Sequence, residues 1–137
     1  METDTRRREF FQLFERTFFL LRDSLKEGTS KLSSLEKEMT IRNFRQSFQF
    51  AWYSLQTCLE AKGELFYTST PRQVLKDAVA TGLLTDGQVW IEMLDHRNLL
   101  SHTYDVVTFE AAVEAIYGKY LPAMDRLHQS FEVKTRP

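Results

Sequence analysis

The sequence predicts an all-α fold, an antiparallel four- to five-helix bundle forming one domain over residues 1–137. Three observations lead to it. Apolar residues recur at i, i+3, i+4 and i+7 over long stretches, the spacing of one helix face. Neither a useful run of period-2 alternation nor an internal repeat of about 20–50 residues is present. Glycines and capping residues cut the stripes into helix-length pieces.

The first helix is expected from about Thr5 to Glu27, on a stripe of Phe10, Leu13, Phe14, Thr17, Phe18, Leu21 and Leu25. Gly28 should stop it, because glycine enters the left-handed cap conformation without penalty. Ser33-x-x-Glu36 offers a capping box for a second helix over about 36–62. Its stripe is Ile41, Phe44, Phe48, Ala51, Trp52, Leu55 and Leu59, and Gly63 closes it. After a loop, Thr70-Pro71-Arg72-Gln73 supplies an N-cap, a proline at the first helical position and glutamine at the third, opening a short helix over about 71–80 that stops near Gly82. Thr85 and Asp86 should cap a fourth helix over about 86–100. The last helix is expected after Thr108, running to about 132, with Pro122 kinking it near Gly118. There the carbonyl loses its partner and the missing side chain leaves room for the proline ring.

The chain of 137 residues carries eleven Phe, five Tyr and two Trp. Phe11, Phe19, Leu20, Phe50 and Tyr53 fall outside the stripes, and this surplus favours a homodimer or a stable partner over a monomer. The net charge of −1 gives no global sign of a nucleic-acid binder. The single cysteine, Cys58, suits a reducing compartment, and no apolar run approaches the ~18–20 residues of a membrane span. A soluble, cytoplasmic protein is expected.

Most enzyme signatures are absent. Without H-E-x-x-H or paired cysteines, no metal site is read from the sequence, and isolated glycines make no phosphate-cradling loop. Nor is a cofactor implied. Cys58 reads as a buried, inert thiol, His128 as structural, and Trp52 and Trp90 as packing residues.

What stands out is Trp90–Tyr104, WIEMLDHRNLLSHTY. It gathers Arg97, Asn98, Ser101, two histidines and Tyr104 where an amphipathic helix should be stopping. One reading is structural. Cationic residues at a helix C-terminus suit its dipole, Arg97 can pair with Asp95 or Glu92, and Tyr104 can open a turn before Asp105. The other reading is a site. Metal-free cleavage of RNA needs a base of near-neutral pKa, which His102 supplies, and a bidentate cation for the phosphorane oxygens, which Arg97 supplies. On a regular helix, residues five apart lie roughly 140° apart. Arg97 and His102 therefore converge only if the helix ends or distorts between them, or if a second subunit contributes one of them.

The Arg97-x4-His102-x-Tyr104 constellation resembles the signature of the HEPN superfamily of small helical domains. Two longer stretches resemble its nucleotidyltransferase substrate-binding branch more closely: SFQFAWYSLQTCLEAKG (47–63) and TPRQVLKDAVATGLLTDGQVWIEMLDHRNLLSHTYD (70–105). YLPAM (120–124) fits the branch's last helix. The resemblance covers about residues 40–125 and implies a dimeric helical bundle with the motif lining a cleft at the two-fold axis. It also implies a complex with a minimal nucleotidyltransferase. In the HepT-like toxin–antitoxin branch it implies a metal-independent RNase toxin, with Arg97 and His102 catalytic and Tyr104 the residue its partner modifies with AMP. Three positions on the second helix depart from the pattern. Gln49 stands where the branch usually has Glu, Tyr53 where it has Lys, and Arg45 where an aromatic or small residue is expected.

Two functions from different classes follow. In the first, the chain is the RNase of such a pair, with Asn98, Ser101 and Tyr104 orienting RNA and Arg42 or Arg45 joining Arg97. In the second, it is a non-catalytic subunit that binds a nucleotide or another substrate for the transferase in the same cleft. A plain helical oligomerisation module is the remaining alternative.

Overall fold

The structure, a computed structural model, describes residues 2–63 and 70–135, so most of the loop expected before Thr70 lies outside it. The described residues are helical, without strands. In order the elements are α1 (Glu2–Ser24), α2 (Ser34–Ala61), α3 (Pro71–Ala80), α4 (Gly87–Leu100), α5 (Val106–Ala115), a π-helical turn (Ile116–Tyr120) and α6 (Leu121–Thr135). The last three run on without a break as one rod, giving the five-helix bundle expected.

Most of the helices begin where a side chain can satisfy their free N–H groups. At Ser33 the capping box is complete: its hydroxyl accepts from Glu36 N at 3.1 Å, and Glu36 Oε1 accepts from Ser33 N at 3.0 Å. These bonds hold the Glu36 carboxyl below its usual pKa. Thr70 accepts from Gln73 N at 3.2 Å, but the Gln73 side chain runs forward to Asp77 at 2.9 Å instead of back to the cap. Asp86 sits at the α4 N-cap and makes no cap bond, because Arg126 on α6 holds its carboxylate at 2.6 and 3.0 Å. The last helix starts at Val106, earlier than expected, since Asp105 accepts from Val107 N at 3.3 Å and from the Thr108 hydroxyl at 3.1 Å.

α1 ends three residues earlier than its stripe suggests. Leu25 N bonds Arg22 O at 3.2 Å and Lys26 N bonds Asp23 O at 3.3 Å, tightening the last turn to i→i+3 spacing before Gly28 at φ 85°. The kink expected at Pro122 takes the form of the π turn, in which Leu121 N bonds Ile116 O. Gly118 does not make room for the ring. A Cβ there would meet nothing within 4 Å, because the widened turn has already separated the two.

α2 is the central helix, packed on α1, α3, α4 and α5. Its Phe44 stacks on Tyr120 of the π turn at 5.4 Å, and its Phe48 on Trp90 of α4 at 6.0 Å. α1 runs antiparallel beside it, so that Phe10 near the start of one helix meets Tyr53 near the end of the other at 5.2 Å. Much of the aromatic surplus packs inside the chain. Phe11 and Phe19 enclose His128 of α6, and Tyr53 lies between Phe10 and Trp52. Trp90 is fully buried and His128 nearly so, as packing residues should be. Cys58 is only half-buried, on a cavity of about 340 Å³ that Phe11, Leu83 and Phe131 line together with Arg7, Ser54 and Lys62.

Candidate functional site

α4 stops at Leu100 because Ser101 turns back on it. Both the backbone N–H (3.2 Å) and the hydroxyl (3.0 Å) of Ser101 donate to Arg97 O, and His102 N bonds Leu99 O at 3.1 Å. The chain then crosses to the Asp105 cap of α5. The helix thus ends between Arg97 and His102, one of the conditions for their convergence.

Arg97 does not take the ion pair that a structural reading offers it. Asp95 is held by Arg72 at 2.7 Å, and Glu92 by Lys119 at 2.7 Å. The Arg97 guanidinium instead lies 5.7 Å from the Phe48 ring centroid, a cation–π contact that leans it onto α2. There it shares a cavity of about 220 Å³ with Arg42, Arg45, Gln46 and Gln49. Those four α2 residues follow i, i+3, i+4, i+7 spacing, which places them on one helix face.

Arg45 ties the two helices together by donating to Ser101 Oγ at 3.2 Å. Among the described residues, no carboxylate pairs with Arg42, Arg45 or Arg97. Three guanidiniums sharing one cavity repel one another until an anion joins them, and their planar forks match phosphate or carboxylate oxygens.

Of the residues singled out by sequence, Arg97 and Ser101 meet here, with Arg42 and Arg45 beside them. Asn98 and His102 are exposed, and Tyr104 is 86% exposed. His102 does not line the arginine cavity. Sequence reasoning misses Gln46 and Gln49 as lining residues, although the polar stripe 42-45-46-49 beside the apolar face of an amphipathic helix carries that signal. The departures at Gln49 and Tyr53 prove to be partners: the Gln49 amide donates to the Tyr53 hydroxyl at 3.1 Å. A neutral pair thus occupies this i, i+4 position on α2.

The opposite side of α4 carries a second polar cluster. His96 Nδ1 lies 2.6 Å from the Tyr120 hydroxyl. Burial holds His96 below its ordinary pKa, the nearby Lys119 adding to the effect and Glu92 opposing it. The ring is therefore neutral at pH 7, and the phenol donates to it. Burial, aided by the Glu92 and Asp95 carboxylates, pushes Tyr120 up to about 12. The groove outside it measures about 330 Å³, but its charges are already paired, Lys119 with Glu92 and Asp95 with Arg72. This cluster fastens the π turn to α4.

No helix among the described residues is long and apolar enough to cross a membrane. A crystal structure of a protein from Thermus thermophilus is similar in fold, with a TM-score of 0.72 and 26% identity over 90% of this chain and 99% of that one. No curated protein matches the chain. The family model described as nucleotidyltransferase substrate binding protein like matches residues 9–133, nearly the whole bundle and all of the candidate site, and the chain belongs to that family.

Proposed function

We propose that the chain is the substrate-binding subunit of a two-protein nucleotidyltransferase, holding a phosphate-bearing substrate on Arg97, Arg42 and Arg45. The observation that carries this reading is the set of three guanidiniums around one cavity without a carboxylate among them. The family description, nucleotidyltransferase substrate binding protein like, supports a nucleotidyltransferase as the partner. Asn98, Ser101 and Tyr104, at the end of α4 and just beyond it, contact the remainder of the substrate, a nucleotide or a segment of RNA. The exposed Tyr104 hydroxyl is accessible to a partner and is the candidate for modification with AMP.

A second reading rests on a separate observation. α4 ends between Arg97 and His102, which leaves the His102 imidazole exposed on the turn beyond the arginines. RNA held by the arginines, or a second copy of the chain across a two-fold axis, could bring His102 to a scissile phosphate. In this HepT-like reading, His102 is the general acid/base of a metal-independent RNase toxin and Arg97 stabilises the phosphorane.

One experiment separates the two. Purified chain is incubated with tRNA and with ATP in EDTA, and both binding and cleavage are followed. Binding that Arg97→Ala abolishes, without cleavage, establishes the substrate subunit. Cleavage lost in both Arg97→Ala and His102→Ala establishes the nuclease. If Arg97→Ala alters only thermal stability, both readings fall.

A further inference from the structure

Away from the arginine cavity, α1 and α6 bring three metal-ligating groups together. His128 Nε2 lies 2.8 Å from Glu15 Oε2 and 3.9 Å from Glu132 Oε1. One donor atom from each of the three residues lies within 4.8 Å of the other two. We propose that Glu15, His128 and Glu132 bind a first-row divalent cation such as Zn²⁺, which clasps α6 to α1.

The imidazole is fixed in place. It is 5% exposed, stacked on Phe11 at 5.7 Å, with Phe18 at 5.7 Å, Phe14 at 6.4 Å and the Phe19 ring edge-on at 5.1 Å. This aromatic wall aims Nε2 at the carboxylates and lowers the local dielectric, which strengthens attraction between a cation and its anionic ligands. His128 and Glu132 are four apart on α6, so they project from adjacent turns of one face. Glu15 closes the set from α1.

Glu132 Oε1 stands 3.9 Å from Nε2 and Glu15 Oε2 2.8 Å from it, so carboxylates of two helices converge on one imidazole nitrogen. One imidazole and two carboxylates form a donor set suited to Zn²⁺, with a coordination position left for water. Tetrahedral bonds of about 2.0–2.1 Å put neighbouring ligand atoms about 3.3 Å apart. Glu15 would retreat slightly and Glu132 advance, movements within reach of their flexible side chains, while the caged ring stays still. No spacing motif announces this set, because Glu15 lies at the other end of the chain from His128 and Glu132.

The test uses the full chain after EDTA treatment and dialysis, titrated with ZnCl₂ by calorimetry and with CoCl₂ by visible absorption. Expected are one Zn²⁺ per chain, a rise in Tm, and Co²⁺ d–d bands. Glu15→Gln and Glu132→Gln, which keep side-chain shape, should each weaken Zn²⁺ binding at least about tenfold. Circular dichroism checks that both remain folded. Absence of Zn²⁺ binding by the wild-type chain at millimolar concentration overturns the proposal whatever the variants do. So does binding undiminished in both variants, which would locate the ion elsewhere, for example on the exposed His102.

Discussion

Arg45 shows how one residue joins recognition to structure. It reaches from α2 to Ser101 Oγ, so on the proposed function a fold-level contact and a phosphate-binding cation share one side chain. Because Arg45 is exposed and that contact is a single surface bond, Arg45→Ala should leave the unfolding midpoint nearly unchanged. Phosphate-ligand affinity should fall by about 1.5–3 kcal/mol, the contribution of a hydrogen bond to a charged group, measured by calorimetry with ATP or a short RNA. A large loss of Tm with no loss of affinity would reassign Arg45 to structure. Ser47, two residues on, is its opposite: fully buried, with a hydroxyl that finds no partner. Ser47→Ala should therefore keep or raise stability in urea titration, by up to about 1 kcal/mol. At this scale the sequence is readable where chemistry is local, as with Arg97 and Ser101 one turn apart. It is not readable where a carboxylate's choice of partner decides the outcome. Asp95 and Glu92 stand near Arg97 in sequence, yet Arg72 and Lys119 hold them.

At the scale of elements, caps and stops are legible because Ser33, Thr70, Gly28, Gly63 and Gly82 act on neighbouring backbone. The three glycines take positive φ as their stop positions require. Asp86 departs from its expected capping role because its competitor, Arg126, comes from a helix forty residues away. The π turn can be read only as a kink at Pro122, since what stabilises it is the His96–Tyr120 bond from another helix. The burial of this pair, with the Glu92 and Asp95 carboxylates beside Tyr120, sets a pH dependence. The folded phenol has a pKa of about 12 against about 10 when unfolded, so on raising the pH the unfolded chain deprotonates first. The stability that Tyr120 contributes is complete below about pH 10 and is lost as pH rises toward 12. His96 works in the other direction: its pKa is depressed on folding, so its contribution is complete above about 6.5 and is lost as pH falls. Tyr120→Phe should cost about 1–2 kcal/mol at pH 7. It should also flatten the alkaline limb relative to wild type, read from urea midpoints between about pH 7 and 11. An unchanged alkaline limb would mean that another group causes it.

For the whole molecule, much of the aromatic surplus that favours a homodimer in the sequence is accounted for within the chain. Phe11 and Phe19 wall in His128, a contact between the first and last helices that periodicity along either one cannot reveal. The charge balance matters more for function. With a net charge of −1, the chain has no strong global field to draw a polyanion from a distance, so RNA binding on the proposed function depends on a local basic patch, the arginine cluster. That limits how binding can depend on salt. Each phosphate neutralised on single-stranded RNA contributes about 0.7 to the slope of log K against log salt, so three arginines give a slope of about −2. Removing Arg45 should reduce its magnitude by about 0.7. Fluorescence anisotropy of a short single-stranded RNA over a range of KCl concentrations measures both values. A slope several times steeper would require a basic surface far larger than Arg42, Arg45 and Arg97, since the chain is measured alone. A slope near zero would mean that the arginines do not meet phosphate, and the phosphate-binding reading would fail with them.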